Sequence, residues 1–379
     1  MLSDKLHLKL SSYLASFALF DLLILPRVNF SVLLPISLLF VLIYVPIKFN
    51  KKKGLVIFII SIIIILSILF GTIFQDKHNL TKNLQRGFQL LIILSYSQLR
   101  IDFDKIKTLV LKILRIYFFW LLFLITIFFY RNDIYASLVS ILYPETLEFL
   151  EWNIASLRFG YAFSDPNSAA YLTVMALQLY VIIEKNNYLL SMFFFIASLA
   201  ILFTQSRGGL ICLLIVLGFH FFQNGRTKFK IAFIILISLL IFSGFYFYSE
   251  YINEFFEIAK SRTEQEESVG GGRIDKYIYF IKNINFLPFG VGYDLYKDGV
   301  EFRPHSDLIR LNLSYGIFAL PLILYFFLPK SKNQWFFLLI ISIPFLINSL
   351  IDDYRLFGVA LIIFQLISEK KNQYYRGAN

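Results

Sequence analysis

Cysteine is almost absent. Cys212 is the only one in 379 residues, which excludes a disulfide framework and a thiolate metal site. Histidine is scarce too: His7, His78, His220 and His305 are scattered, with no ligand spacing such as HExxH, so no metal is expected. Charged residues make up 16% of the chain against 58% hydrophobic ones, and few soluble domains are so apolar. Strict polar–apolar alternation is missing, which excludes a transmembrane barrel. There is no internal repeat and no low-complexity tract beyond an Ile/Leu/Phe bias. No small-residue cleavage site follows the first apolar run, so that run is expected to stay as an anchor.

What the chain does have is a series of apolar runs approaching the roughly 20 residues that span a bilayer. Twelve are read, at about 10–26, 29–47, 54–74, 87–99, 113–130, 168–183, 188–204, 209–222, 231–248, 308–328, 335–350 and 356–368. The expected fold is therefore all-α: a polytopic membrane protein of about twelve transmembrane helices, with 1–379 forming a single integral membrane domain.

The net charge of +11 invites a nucleic-acid reading, but its distribution argues for topology instead. One set of connecting segments carries 20 basic residues against five acidic ones, a net of +15. The other face carries 16 basic against 19 acidic, a net of −3, which leaves Asp21 inside the first run. The positive-inside rule then puts both termini in the cytoplasm, and the excess charge attracts anionic membrane lipid rather than nucleic acid. Two outer loops are long, about 131–167 and 249–307. The inner segment 100–112 has an amphipathic pattern expected to lie on the inner leaflet. Large outer loops and polar span ends direct attention to the outer face.

The densest polar stretch there runs from Glu301 to Gly316 and holds Arg303, His305, Asp307 and Arg310. A charged, histidine-containing collar at the mouth of a membrane helix is costly without a use. Pro304 restricts Arg303 to extended geometry, and Ser306 or Asp307 can cap the helix that follows. The capped end suits an anion. His305 is either an acceptor of a hydroxyl proton or a loop histidine tied to backbone. Asp307 and Arg310 are spaced for an intrahelical pair, and Gly316 suits close helix packing.

Thr204-Gln205-Ser206-Arg207-Gly208-Gly209 is a short outer turn. Arg207 there is either a snorkelling arginine on lipid phosphate or a ligand contact, and an outer-face arginine runs against the charge bias. Its glycines let a backbone or a ligand come close. Gly270-Gly271-Gly272-Arg273 reads as a hinge, with Arg273 open between solvent and ligand. Asp165 and Asn167 read first as helix caps, with Arg158 just before them. Asp352, Asp353 and Arg355 form a last outer turn whose charges can pair on the surface.

Together these residues resemble the O-antigen polymerase and O-antigen ligase superfamily of bacterial membrane glycosyltransferases. The likeness rests on four features in order across about 160–320. They are Asp165-Pro166-Asn167 opening a span, Ser206-Arg207-Gly208-Gly209 opening another, Gly272-Arg273 followed by Pro288-Phe289-Gly290-Val291-Gly292, and His305 followed by Gly316. The resemblance implies a GT-C-like helical fold with periplasmic loops, in the bacterial inner (plasma) membrane. It implies an undecaprenyl-diphosphate-linked glycan donor, no nucleotide sugar and no cofactor. A chain-length regulator and a flippase would be its protein partners. Arg207 and Arg273 would hold the diphosphate, with His305 at the acceptor and both Arg207 and His305 catalytic. Arg158, Asp165, Asn167, Arg303 and Arg310 would line the substrate. The leading expectation is a polymerase adding glycan to a lipid-linked repeat unit. The alternative is a ligase delivering glycan to lipid A-core, and a lipid-linked sugar transporter is third. Ala319, three after Gly316, departs from the ligase-like pattern, which often has a second small residue or Tyr there.

Overall fold

The computed structural model describes residues 2–26, 28–29, 33–45, 50–74, 79–223, 277–278, 288–292, 296–297, 300–301, 304–351 and 353–368. These residues form fourteen α-helices. They are α1 Leu2–Leu23, α2 Ile36–Tyr44, α3 Lys51–Phe74, α4 Leu80–Leu94, α5 Phe103–Tyr130, α6 Asn132–Leu142 and α7 Leu147–Ala155. There follow α8 Pro166–Ile183, α9 Asn187–Phe203, α10 Arg207–Gln223, α11 Asp307–Tyr315, α12 Ala319–Leu324, α13 Lys332–Ile347 and α14 Tyr354–Ser368. Extended pairing among the described residues is confined to two antiparallel ladders of two residues a side, Val28–Asn29 with Leu33–Leu34 and Tyr296–Lys297 with Val300–Glu301.

The all-α class stands, but the count of about twelve spans does not, and the GT-C-like architecture tied to it falls with it. Among the described residues three helices are long and apolar enough to cross a membrane: Lys51–Ile73, Phe103–Tyr130 and Pro166–Ile183. Four shorter apolar helices, Asn187–Phe203, Arg207–His220, Lys332–Ile347 and Tyr354–Ile367, raise the ceiling to seven. Local backbone geometry explains the shortfall. The run 29–47 divides into a tight ladder and the nine-residue α2, about 14 Å long at 1.5 Å per residue. The run 87–99 ends as α-helix at Leu94 and tightens into a 3₁₀ turn at Ser95–Gln98. The run 308–328 is cut by Gly316, whose φ is +83°. The first run lies in α1, where Lys5, Lys9 and Asp21 dilute the hydropathy. The run 231–248 lies outside the described residues. The inner segment 100–112 is no separate surface helix, because α5 runs unbroken for 28 residues.

The chain forms two compact units, residues 1–117 with 276–379, and residues 118–275. In the first, α14 is the central helix and packs on α1, α4 and α13. Its apolar residues from Leu356 to Ile363 are buried all round, the pattern of a core helix. Asp353 caps it, accepting from the backbone N–H of Arg355 at 2.8 Å and of Leu356 at 3.2 Å. Arg355 is not a surface charge: it is 1% exposed and donates to the Leu25 carbonyl at 3.0 Å. Asp21 is likewise part of a network. It accepts from the Ser37 N–H at 2.5 Å, the Ser37 hydroxyl meets the Tyr96 hydroxyl at 2.7 Å, and Arg355 bears on the carboxylate electrostatically. Buried charges held this way anchor helices to one another.

In the second unit α8 is the buried helix, flanked by α9 and α10. Asn186 caps α9 through the N–H groups of Tyr188 and Leu189. Phe118, Tyr180 and Phe193 form a ring cluster with centroids 5.2–5.7 Å apart, each such pair worth roughly 1 kcal/mol beyond its area. The segment 131–167 holds α6, α7 and a 3₁₀ turn at Pro144–Thr146.

Candidate active site

The polar collar lies in the first unit, at the start of α11. Ser306 takes the N-cap position with extended backbone, but its side chain makes no capping bond. Asp307 does not cap either. Its Oδ2 reaches 43 and 44 residues along the chain to accept from the N–H groups of Leu350 and Ile351. The carboxylate therefore clamps the first turn of α11 to the turn that leads into α14. His305 is half-buried, and its carbonyl accepts from the Tyr277 hydroxyl at 2.6 Å. Arg303 lies outside the described residues.

The other end of α11 explains the Pro-Phe-Gly-Val-Gly motif. Val291 and Gly292 donate backbone N–H groups to the carbonyls of Leu313 and Ser314, both at 2.9 Å. These are last-turn carbonyls that a helix cannot satisfy itself. Gly290 has φ +66°, and a Cβ there would lie 2.5 Å from the Ser314 carbonyl carbon. A Cβ on Gly316 would lie 2.0 Å from the Pro288 carbonyl oxygen. Gly316 thus serves a backbone crossing and a left-handed turn, not the helix–helix packing expected of it. Phe289 completes the joint by stacking on Phe70 of α3 at 5.9 Å.

Held at both ends, α11 presents Arg310 to a small cleft of about 30 Å³ shared with α4 and the start of α14. Arg310 is 5% exposed. Facing it across the cleft are Arg86 and Gln89 from α4, with Ser314, Tyr315 and Tyr354 on the remaining walls. The Arg86 guanidinium donates to Gln89 Oε1 at 3.1 Å, which fixes its orientation. Two guanidinium groups lining one concave site suit an anion with several oxygens, because each carries a planar fork of donors. Arg86 was missed in the sequence. The signal was the one that marked Arg207: an arginine at the outer flank of an apolar run, against the charge bias.

In the second unit the structure draws Arg158 to the Arg207 turn. Arg158 Nε donates to the Thr204 carbonyl at 3.1 Å, and Phe159 N donates to the Phe203 carbonyl at 2.9 Å. The guanidinium also sits 5.8 Å from the Trp152 ring centroid, within range for a cation–π contact. Leu157, Tyr161 and Gln205 have φ of 51°, 52° and 54°. Left-handed backbone at non-glycine residues clusters where structure over-determines it, often at functional turns. Asp165 caps α8, accepting from Asn167 N at 3.0 Å and Asn167 Nδ2 at 2.9 Å. The favoured capping reading of this pair is what the geometry contains.

Arg207 is exposed at the first position of α10, where the Ser206 hydroxyl accepts from Gly209 N at 3.1 Å. The two glycines after it face α8. A Cβ on Gly208 would lie 2.0 Å from the Tyr171 hydroxyl, and one on Gly209 2.5 Å from Ala170 Cβ. They let two helices touch, rather than open the backbone to a ligand. Outside this turn, Arg131 is engaged: it grips Asp133 through two bonds of 3.0 and 2.7 Å and holds that carboxyl down at about 2. Arg273 lies outside the described residues. Among the described residues no group of three or more His, Cys, Asp or Glu side chains gathers to hold a metal.

Residues 192–324 match the family model described as O-Antigen ligase. The matched stretch takes in most of α9, all of α10, the collar and α11, and with them Arg207, Arg273, His305 and Arg310. No curated protein matches the chain. The match covers about a third of the chain, and over that stretch the likeness to the O-antigen ligase family supports a general role in glycan transfer.

Proposed function

We propose that the protein is a ligase that moves a glycan from an undecaprenyl-diphosphate carrier to a hydroxyl of lipid A-core. The single observation that carries this reading is the match of 192–324 to a family described as O-Antigen ligase, which favours the ligase over the polymerase. The concave cationic cleft of the first unit supports an anionic substrate. In the proposed reaction the acceptor oxygen bonds to the anomeric carbon as the bond to the diphosphate breaks. The diphosphate departs with the electron pair, and the hydroxyl proton passes to a base. Diphosphate is already a good leaving group, so arginine forks at Arg207 and Arg273 are enough to stabilise its charge. His305 supplies the base or orients the acceptor. Within the first unit Arg310 and Arg86 line a cationic cleft, and within the second Arg158 sets the Arg207 turn. The chain is proposed to lie in the inner membrane with both termini cytoplasmic and the reaction on the periplasmic face.

The test is deletion of the gene followed by a gel of surface polysaccharide and extraction of lipid-linked glycan. A ligase predicts loss of all attached glycan with lipid-linked polymer retained. Retention of one attached repeat, with the longer ladder gone, would replace the ligase with a polymerase.

A further inference from the structure

Eleven residues from Arg86, at the far end of α4, the first unit has a second cluster of cations. At 1.5 Å per residue it lies roughly 16 Å from Arg86 along the helix axis. The Lys53 ammonium at the start of α3 donates to the Ser97 carbonyl, and Lys330 and Arg100 both bear on it electrostatically. Lys53 is half-buried, whereas Arg100 and Lys330 are exposed. Three like charges brought together around a half-buried ammonium repel one another, a cost that a bound anion removes.

The buried groups beside these cations point the same way. Ser97 and Gln98 are each 2% exposed. Gln98 Oε1 is used, accepting from Asn50 N at 3.0 Å, and Asn50 Oδ1 in turn accepts from Lys53 N at 3.3 Å. Gln98 Nε2 and the Ser97 hydroxyl have no partner among the described residues. Buried polar atoms are ordinarily satisfied by protein, ordered water or a bound ion, and these two donors are open to such a partner. Lys53 is bonded to the backbone of Ser97, Arg100 and Lys330 act on its ammonium, and the neighbouring amide NH₂ of Gln98 and hydroxyl of Ser97 can both donate. The nearest carboxylate along the chain, Asp102, is taken by Lys105 at 2.6 Å. The backbone of the third cation is held in place: Lys330 N donates to Gln334 Oε1 at 2.6 Å, and Gln334 Nε2 donates to the Phe364 carbonyl at 3.0 Å.

We propose that Lys53, Arg100 and Lys330, with Ser97 and Gln98, form a phosphate-binding site separate from the glycan-transfer cleft. The ligand is a tetrahedral oxyanion carrying one or two charges. Its source is the phosphodiester of an anionic lipid headgroup or a free phosphate. By its positive charge this end of the unit is the one expected to face the cytoplasm.

The test uses the full-length protein in detergent with three probes: phosphatidylglycerol, phosphatidylcholine and inorganic phosphate. Bound lipid is counted by native mass spectrometry, and phosphate binding is followed by thermal shift. Wild-type protein is expected to bind phosphatidylglycerol saturably and phosphatidylcholine not at all. Arg100→Gln and Lys330→Gln, both at exposed positions, should each weaken binding about tenfold, the scale of one charge-assisted hydrogen bond. Lys52→Gln makes the same charge change one residue from Lys53 at an exposed position, and should leave binding unaltered. Saturable binding of inorganic phosphate without phosphatidylglycerol, lost in the same two variants, also supports the site and assigns it to the free anion. Equal weakening by Lys52→Gln and Arg100→Gln would show a diffuse surface charge and overturn the proposal. Absence of saturable binding by either anionic probe would overturn it too.

Discussion

His305 and Arg207 separate two kinds of residue effect, proton handling and charge stabilisation. His305 is half-buried and engaged through its backbone carbonyl. If its imidazole handles the acceptor proton, His305→Ala should lower the transfer rate roughly a hundredfold or more, with His305→Gln recovering part only if the role is hydrogen bonding. Purified variants assayed with lipid-linked glycan from about pH 5 to 9 read this directly. A wild-type rate and an unchanged pH profile for His305→Ala would make the histidine structural. Arg207 is exposed at the first turn of α10, so Arg207→Ala should leave protein levels near normal while transfer is lost. Arg207→Lys should rescue poorly, since an ammonium lacks the planar fork. Full activity of Arg207→Ala would remove it from the site.

Helix α11 shows how an element of only nine residues is held in place. Isolated helices of that length are unstable in water, so its ends must be fixed from outside. Asp307 does this at one end through the N–H groups of Leu350 and Ile351, and the 288–292 segment does it at the other. Asp307→Ala leaves two backbone donors without their acceptor and should destabilise the protein by about 1–3 kcal/mol, read as a lower melting temperature in detergent. Gly316→Ala should be as damaging or worse. The positive φ alone costs about 1–3 kcal/mol, and the new methyl would run into the Pro288 backbone. Gly218→Ala is the matched control. Its Cβ meets nothing within 4 Å, and alanine is favoured in a helix interior by about 1 kcal/mol, so it should not lower the melting temperature. Equal melting of Gly316→Ala and wild type would refute the crossing described for 288–292.

For the whole molecule, the charge asymmetry of +15 against −3 predicts which ends of the helices face the cytoplasm. Reporter fusions at Arg100 and Lys332 should read cytoplasmic. Fusions at Asp133, beyond the 28-residue α5, and at Asp353, beyond α13, should read external. An external reading at Lys332 with a cytoplasmic one at Asp353 would reverse the orientation and move the collar to the other side. The smaller number of spans does not weaken this test, since it needs only that α5 and α13 each cross.

The all-α class and the family resemblance were legible in the amino-acid sequence. Hydropathy and charge add up residue by residue along a chain, and a short motif such as Ser206-Arg207-Gly208-Gly209 keeps its order whatever surrounds it. The Asp165 cap was legible for the same reason, since it acts on Asn167, two residues away, whereas the cap expected of Ser306 or Asp307 is not made. The number of spans was not, because an apolar run says nothing about a backbone turn within it, and the positive φ of Gly316 broke one run in two. Nor was the partner of Asp307, which lies 43 residues on, or the meeting of Arg86 with Arg310 across one cleft. Those contacts depend on how α4, α11 and α14 pack together, and packing joins residues that no local pattern in the sequence relates.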